Sequence, residues 1–192
     1  MRRFILASSS SRRIQLLRAS RFNPEVVSPE VEEVDFQFLS PSEIARFNAY
    51  QKAIAVSNVY PDAVVLAADT VVALGSELFG KPKDYHDARR MLESLAGKTH
   101  YVITGVALAE PGRRITLHSE QSGVKFRRLS SPEIDAYLHT INPLDKAGGY
   151  AAQDSPAAII ECVDGSFTNV VGLPMELVVP LLGTAGIYPA VT

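Results

Sequence analysis

The sequence predicts an α/β fold in which helices flank a mixed, twisted β-sheet and two lobes enclose a central cleft. Short apolar runs alternate along the chain with segments of helical periodicity, as expected of helices packed on a sheet. Two long strand-like runs bracket Pro111-Gly112, a hairpin signal that adds an antiparallel pair. The 192 residues, 46% of them hydrophobic and 21% charged, suffice for one domain, or for two small lobes that share a core.

The strands are predicted from short apolar runs bounded by turn residues. They are residues 4–7, 23–27, 63–74, 99–108, 114–126 and 159–163. The run at 63–74 is rich in valine and interrupted only by Asp69-Thr70, which indicates a strand buried on both faces. Residues 28–38 are acidic, show no clear period and are predicted to form a loop.

The helices are predicted from apolar spacing and capping residues. They begin at Ser11, run over 40–58, begin at Asp84 and close at Gly97, run over 130–138, and run over 174–182 before Gly183. The second helix opens with a capping box from Ser40 to Glu43 that has proline at the first helical position. Its inner side is predicted at Ile44, Phe47 and Ile54. Asn48 and Lys52 are four residues apart and share a face.

Composition and charge exclude several functional classes. The formal net charge is −2, so no general attraction to nucleic acid or to an anionic membrane is expected. No apolar run is long enough for a membrane span or a signal peptide. The single cysteine, Cys162, fits a reducing compartment and is predicted to lie in the core. We expect a cytoplasmic protein without a zinc site, because the four histidines show no metal-ligand spacing.

Residues 75–82, with the sequence GSELFGKP, match a phosphate-binding P-loop at Gly75, Gly80 and Lys81. Pro82 stands where a P-loop needs a hydroxyl group and an N–H donor, and the next helix is predicted only from Asp84. We therefore reject the P-loop and predict a hairpin turn around Gly75-Ser76. Lys81 remains a candidate phosphate ligand from a different kind of loop.

Two segments carry candidates for binding phosphate and metal. Residues 8–13 place four serines and two arginines at a predicted helix start, where free N–H groups and arginine forks suit an anion. The alternative is a serine-capped helix with two solvated arginines. Asp69 interrupts a valine-rich strand, where a carboxylate is costly unless it is paired or bound to metal. The alternative is an aspartate that caps a turn at a strand end.

Two further segments carry weaker signals. Glu32-Glu33 lies on the acidic loop and offers the oxygen ligands that magnesium prefers, although a solvated loop would look the same. Residues 145–150 contain glycines that permit close approach of a ligand. Gln153 follows them, and its side chain offers both a donor and an acceptor to a base edge.

Six short blocks recur through the chain in a recognisable order: Ser8-x-Ser10-x-Arg12-Arg13, Arg46-Phe47-Asn48-Ala49-x-x-Lys52-Ala53, Ala68-Asp69-Thr70, Gly80-Lys81-Pro82, Asp145-Lys146-Ala147-Gly148-x-Tyr150-x-x-Gln153, and Asn169-Val170-Val171-Gly172-Leu173-Pro174. In this order and spacing they resemble the Maf family of nucleoside triphosphate pyrophosphatases. The resemblance extends from about residue 4 to 182. It implies a single Maf-like domain over residues 1–192, with the fold of the Maf and inosine triphosphatase-like proteins.

The resemblance implies hydrolysis of a nucleoside triphosphate between its α and β phosphates, with magnesium or another divalent cation. Gln153, Arg12 and Thr70 match the branch that takes dTTP and UTP, whereas the branch that takes methylated GTP typically has glutamate at the position of Gln153. The resemblance also implies a housecleaning role that removes non-standard nucleotides, a link to septum formation, and a possible homodimer.

The resemblance and the residue chemistry together give the predicted site. The predicted substrate-binding residues are Ser8, Ser10, Arg12, Arg13, Lys52, Thr70, Lys81 and Gln153, with the four cations as the phosphate clamp. Glu33 and Asp69 are predicted to hold the metal. Asp69 is also predicted to accept the proton of the attacking water, unless it serves only one of these two purposes.

Two positions depart from the family pattern. Most members have proline at the position of Ser11, and most have glycine at the position of Asp154, which adds a carboxylate beside the predicted base pocket.

Three other functions are alternatives to a dTTP/UTP pyrophosphatase. One alternative is a non-catalytic nucleotide-binding regulator of cell division, which would not need Asp69 and Glu33. A second is a pyrophosphatase that prefers 7-methyl-GTP. An RNA-binding protein is disfavoured by the net charge of −2.

Overall fold

The structure is a computed structural model that describes residues 2–34, 38–112, 114–154 and 156–190. Its strands are β1 (Phe4–Ala7), β2 (Glu25–Val27), β3 (Val64–Leu74), β4 (Glu77–Phe79), β5 (Thr99–Glu110), β6 (Arg114–Phe126) and β7 (Ile160–Asp164). Its helices are α1 (Ser11–Ala19), α2 (Pro41–Val59), α3 (Tyr85–Leu95), α4 (Ser131–Leu138), α5 (Pro156–Ile159), α6 (Phe167–Val171) and α7 (Met175–Thr184).

The described strands form one mixed sheet in the order β2-β1-β3-β5-β6-β7, with β4 paired to β3 outside that path. β1 is parallel to both β2 and β3. β3, β5, β6 and β7 pair antiparallel in succession. This arrangement confirms the predicted α/β class with a mixed sheet flanked by helices.

Most predicted elements agree with the structure, and the disagreements fall on short segments. The hairpin at Gly75-Ser76 is confirmed, because β3 and β4 pair on either side of it. The sequence does not predict α5 or α6, which have four and five residues and are too short to show a helical period. The last helix continues through Gly183 to Thr184. Residues 35–37 of the predicted acidic loop lie outside the described residues.

Alternate residues of β3 face two different apolar layers. Leu66 and Ala68 pack with α1 and α7, whereas Val65 and Ala67 pack with α2. All four are fully buried, which confirms the prediction of a strand covered on both faces. Because side chains alternate along a strand, Asp69 lies on the α2 side of β3 and Thr70 lies on the α1 side.

Helix α2 packs directly on the sheet through small side chains. Its buried residues are Ile44, Ala45, Asn48, Ala49, Lys52, Ala53 and Val56. Phe47, predicted to face inward, is instead 39% exposed, and Ile54 is only partly buried. The reason lies on β5, where Gly105 faces the carbonyl group of Ala45 without an intervening side chain. Because the helix backbone rests on the strand, only small residues fit beside it.

The other end of the long strands packs against α3 and α4. Its core includes Val72, Leu92, Leu95, Val124, Phe126, Ile134 and Tyr150. Helix α3 begins as predicted, with the side chain of Asp84 accepting a hydrogen bond from the N–H of Asp87. The two ends of the sheet therefore carry separate apolar clusters, as expected of two lobes that share one sheet.

A buried imidazole lies in this second cluster. His100 is fully buried between the rings of Phe126 and Tyr150, whose centroids are 4.7 and 5.5 Å from its own. Its Nε2 is 2.9 Å from the hydroxyl of Tyr150, and its Nδ1 has no partner among the described residues. Burial lowers the pKa of His100 from 6.5 to about 4.

We expect this histidine to make the protein less stable in mild acid. The unfolded chain binds a proton at His100 near pH 6.5 and the folded chain only near pH 4, so the unfolded state binds more protons throughout this window. The free energy of unfolding should therefore fall by up to about 3 kcal/mol as the pH drops across it. Urea denaturation of wild type and His100→Gln at several pH values tests this expectation. An equally steep pH dependence in the variant would contradict it.

The prediction that Cys162 lies in the core is wrong. Cys162 is exposed, because β7 is the last strand of the described sheet and packs only partly against the second cluster.

Among the described residues, no helix is both long and apolar enough to cross a bilayer.

Candidate active site

A cleft of about 700 Å³ lies beside the end of β1 and the middle of β3. The ten predicted site residues all line it: Ser8, Ser10, Arg12, Arg13, Glu33, Lys52, Asp69, Thr70, Lys81 and Gln153. They are contributed by α1, α2, β3 and the loops between elements. Their roles remain predictions, while the structure shows what each side chain contacts.

Asp69 and Lys52 form a buried ion pair at the floor of the cleft. Asp69 is 6% exposed and Lys52 is 7% exposed. The Nζ atom of Lys52 lies 2.6 Å from Oδ1 of Asp69, and Asn48 donates to Oδ2 at 3.2 Å. Asp69 faces α2 because it continues the side of β3 that packs on that helix. A carboxylate inside the valine-rich strand is thus stabilised by two partners one helical turn apart.

Glu33 reaches the same lysine from the acidic loop. Its Oε1 is 2.7 Å from Nζ of Lys52 and 4.0 Å from Nζ of Lys81. Partial burial alone raises the pKa of this carboxyl, but the charge and hydrogen bond of Lys52 prevail and hold the pKa below its usual range. Glu33 is therefore ionised at neutral pH, beside the Lys52–Asp69 pair of the floor.

Asn48 holds the Glu33 loop against α2, and the sequence assigns it no role beyond its place in a motif. Its Oδ1 accepts from the N–H of Val34 at 2.9 Å, and its Nδ2 donates to the carbonyl oxygen of Val34 at 3.1 Å. The same amide group contacts Asp69. Its four-residue spacing from Lys52 is the sequence signal that points to this role.

Arg13 is partly buried among protein acceptors. Its guanidinium donates to the carbonyl oxygen of Gly172 at 2.8 Å, to the hydroxyl of Thr70 at 3.0 Å and to the hydroxyl of Ser8 at 3.2 Å. Burial lowers its pKa, and the charge of Asp69 partly offsets that effect. Arg13 thus joins β1, β3 and the α6–α7 corner on the side opposite α2. Its geometry suits positioning of these segments at least as well as direct phosphate contact.

Arg12 lies across the mouth of the cleft. Its guanidinium donates to the carboxylate of Asp145 at 3.2 Å and to the carbonyl oxygen of the same residue at 3.3 Å. Lys146 contacts the other carboxylate oxygen at 2.7 Å. Asp145 is about half exposed, so this cluster is accessible to a charged ligand. Phosphate oxygens are the groups that would compete with Asp145 for Arg12.

The remaining cation and the start of α1 are more open. The side chain of Lys81 is 58% exposed, with Glu33 as its nearest ionic partner among the described residues. Ser10 precedes α1, and its side chain makes no capping hydrogen bond there within the described residues. The first residues of α1, whose N–H groups have no partner within the helix, therefore line a cleft that is also lined by two arginines and three lysines.

Gln153 also lines the cleft, on the segment that follows the 3₁₀ turn Ala147–Gly149. Its Oε1 is buried and has no hydrogen-bond partner among the described residues. Buried acceptors are seldom left unpaired, so this oxygen marks a position where a ligand donor would be favourable. Asp154 next to it is exposed.

Glu33 and Asp69 fit a hard divalent cation by their chemistry. Both are carboxylates, and both lie within hydrogen-bond distance of one cationic atom, Nζ of Lys52. Magnesium typically takes one or two protein carboxylates and completes its shell with water and substrate phosphate. The described residues contain no group of three or more His, Cys, Asp or Glu that would form a complete cage. The residues present therefore suit a cation that arrives with a phosphate ligand.

Comparison with known proteins gives a consistent set of relatives. The family described as Maf-like protein matches residues 3–185. A dTTP/UTP pyrophosphatase of Thermosipho africanus is 44% identical over 98% of this chain and 96% of its own. Proteins of the same name from Bacillus pumilus and Symbiobacterium thermophilum are 42% and 44% identical, over 98% and 100% of this chain and 100% and 98% of their own.

Two solved structures show a looser likeness. A nucleoside-triphosphatase, also described as a dITP/XTP pyrophosphatase, of Mycobacterium abscessus gives a TM-score of 0.40 at 16% identity, over 66% of this chain and 73% of its own. The Ham1 protein of Staphylococcus aureus gives a TM-score of 0.42 at 12% identity, over 64% and 71%. Likenesses at this level do not bear on the function.

Proposed function

The chain belongs to the Maf-like protein family, and on that premise we propose that it hydrolyses dTTP and UTP to the nucleoside monophosphate and pyrophosphate. Relatives named dTTP/UTP pyrophosphatase align along nearly the whole chain at 42–44% identity. The observation that carries the proposal is the cleft itself. It is lined by cations, by a helix start and by Gln153, whose amide oxygen is unpaired among the described residues.

The amide of Gln153 is suited to the edge of uracil or thymine. Both bases present an N–H donor at N3 between two carbonyl acceptors. The unpaired Oε1 of Gln153 would accept from N3–H, and its Nε2 would donate to a neighbouring carbonyl. Cytosine presents an acceptor at N3 and an amino donor, so it pairs well only with an amide turned the other way. Base choice therefore depends on how firmly the amide is oriented.

The phosphates would bind among Arg12, Lys81 and the first turn of α1. A triphosphate carries about four negative charges, which these groups neutralise by charge-assisted hydrogen bonds. Arg12 would exchange its contact with Asp145 for phosphate oxygens. Lys52 remains tied to Asp69 and Glu33, so its part in the clamp is to set the charge of the floor rather than to reach far into the cleft.

Asp69 is proposed as the group that receives the proton of the attacking water. The water oxygen bonds to the α phosphorus, the bond from that phosphorus to the α–β bridging oxygen breaks, and the pyrophosphate leaves with the bond electrons. Asp69 is held by Lys52 and Asn48 in one orientation, which fixes where such a water would have to lie. The products are the nucleoside monophosphate and pyrophosphate.

Glu33 and Asp69 are the residues proposed to hold magnesium or another divalent cation. When bound there, such a cation supplies neutralisation of the charge that develops on the phosphates. We further propose a cytoplasmic housecleaning role, in which the enzyme removes non-standard pyrimidine nucleotides, as the family resemblance implies. The single cysteine is consistent with a reducing compartment.

A nucleotide panel tests the proposed function. Purified protein is incubated with magnesium and dTTP, UTP, CTP, GTP or 7-methyl-GTP, and monophosphate and pyrophosphate are quantified. We expect equal amounts of both products, with dTTP and UTP the best substrates. Preference for 7-methyl-GTP would keep the reaction and reject the base assignment. Tight binding of UTP without turnover would favour the non-catalytic regulator.

Replacing Gln153 by glutamate should shift base preference. A carboxylate cannot donate to a uracil carbonyl and adds negative charge to a cleft that binds an anion, so kcat/KM for UTP should fall at least about 10-fold. Guanine offers two adjacent donors to a carboxylate, so the ratio of GTP to UTP turnover should rise. Gln121→Glu, at an exposed position on β6, is the matched control and should change neither value. An unchanged ratio in Gln153→Glu would remove Gln153 from base recognition.

A further inference from the structure

The segment that carries Gln153 is anchored at two consecutive residues by buried aromatic side chains. The hydroxyl of Tyr150 contacts His100 on β5 at 2.9 Å. The next residue, Ala151, is fixed through its backbone by Tyr137 of α4. Both tyrosines belong to the apolar cluster that packs α3 and α4 on the sheet. The two anchors lie two and three residues before Gln153.

The contact of Tyr137 with Ala151 uses both polar groups of one residue. The Tyr137 hydroxyl accepts from the N–H of Ala151 at 3.1 Å and donates to its carbonyl oxygen at 3.2 Å. Both residues are buried, with 4% and 1% exposure. Because burial raises the pKa of Tyr137 to about 12, the hydroxyl keeps its proton and can serve as donor and acceptor at the same time. A single hydroxyl thus satisfies both backbone polar groups of Ala151, which a neighbouring strand would satisfy in a sheet.

This contact bears on base choice because of its distance along the chain. Two residues of extended chain span at most about 7 Å, so Ala151 and Gln153 lie close together. A shift of the Ala151 backbone is therefore expected to move Gln153 as well. The Oε1 atom of Gln153 has no partner among the described residues that would hold it in place by itself. With no hydrogen bond to this oxygen from the described part of the chain, the side chain is positioned by the backbone that carries it and by the packing around it.

We propose that Tyr137 is a positioning residue for base recognition, and that its hydroxyl orients the Gln153 segment so that the enzyme distinguishes uracil from cytosine. The proposal rests on the proposed function and adds a residue outside the cleft to it. Without the hydroxyl, the N–H and carbonyl of Ala151 lose their partner and the segment relaxes. Both orientations of the Gln153 amide then become accessible, and cytosine is accepted more readily. Catalysis at Asp69 is left in place.

Comparison of UTP with CTP in Tyr137→Phe tests this role. The variant keeps the ring and removes only the hydroxyl. We expect the ratio of kcat/KM for UTP to that for CTP to fall at least about 10-fold, mainly through a higher KM for UTP, with kcat for UTP changed less than about 3-fold. Dissociation constants of UMP and CMP, measured by calorimetry, should converge in the same way. A wild-type ratio in a folded Tyr137→Phe protein would overturn the proposal.

Ser122→Ala is the control for a general loss of stability. Ser122 is 1% exposed, and its hydroxyl donates to Ser166 and accepts from Asn169, away from the Gln153 segment. This variant also loses a buried hydroxyl, yet its ratio of UTP to CTP turnover should equal that of the wild type. A similar fall in both variants would mean that destabilisation, not positioning, sets the ratio.

Hydrogen exchange on the wild-type protein tests the contact without any variant. The Ala151 amide should exchange at least about 100-fold more slowly than an unstructured peptide amide, and exchange at the unstructured rate would overturn the proposal even if Tyr137→Phe does not fold. The two proposals fail differently. Absence of pyrophosphate release from UTP by the wild type would reject the proposed function and this inference with it. A preference for UTP that survives in Tyr137→Phe would reject only the inference.

Discussion

Asp69→Asn should lower kcat for UTP by at least about 10³-fold while nucleotide binding is retained. Asparagine has nearly the same shape and still offers an oxygen to Lys52, but it cannot accept a proton and is a weaker ligand for a cation. Lys52 keeps its contact with Glu33 at 2.7 Å, so the variant should fold. Pyrophosphate release gives kcat, and calorimetry with UMP gives the retained affinity.

Two comparisons make this result specific. Asp62→Asn removes an exposed carboxylate close in sequence and should leave kcat unchanged. Glu33→Gln separates the two purposes of Asp69. If Asp69 only holds a cation, both variants should recover at high magnesium. If it also accepts the proton, only Glu33→Gln should recover. General-base catalysis typically contributes about 10²-fold or more to a rate. If kcat of Asp69→Asn stays within about 10-fold of the wild type, a catalytic role for Asp69 is therefore excluded.

Gly105→Ala should destabilise the protein and disassemble the site together. An added Cβ would meet the carbonyl carbon and oxygen of Ala45 and would lie 2.5 Å from the amide nitrogen of Arg46. These are backbone atoms of α2, so no side-chain rotation relieves the clash and the helix must move. We expect a loss of about 3 kcal/mol or more of unfolding free energy. Because α2 carries Asn48 and Lys52, kcat/KM should fall as well.

Gly123→Ala is the matched control for this substitution. Gly123 also lies in a strand, but an added Cβ would have its nearest neighbours at 3.7 Å, which is ordinary contact. Its unfolding free energy, measured with urea, should stay within about 1 kcal/mol of the wild type. If Gly105→Ala were as stable and active as Gly123→Ala, the close packing of α2 on β5 would not be needed for the site.

Much of the site is readable from the sequence because its chemistry depends on local patterns. A carboxylate inside an apolar strand, an arginine pair at a helix start and an amide after a glycine-rich loop each stand out against their surroundings. All ten predicted residues line the same cleft. Their order along the chain and their similarity to a known family supplied the link between them.

The contacts that orient those residues depend on tertiary packing and leave weak local signals. The prediction that Phe47 faces inward follows from helical spacing. Which face of α2 is buried depends instead on Gly105, 58 positions later, and the local sequence around Phe47 does not show this contact. Likewise Cys162 belongs to an apolar run but lies on the terminal strand of the described sheet, where one edge has no neighbour. Burial depends on which elements pack together, and local periodicity does not specify the partner.

The sequence by itself determined the α/β class, the strand and helix order, the family and the chemical groups of the cleft. These features are encoded in residues close together in the chain, through apolar spacing, caps and motif blocks. Only the tertiary structure decided that Lys52 joins Glu33 to Asp69, that Arg13 is held by Ser8, Thr70 and Gly172, and that Tyr137 anchors Ala151. Such contacts join residues far apart in the chain, because hydrogen bonds and ion pairs depend on distances of about 3 Å that only the packed sheet and helices define.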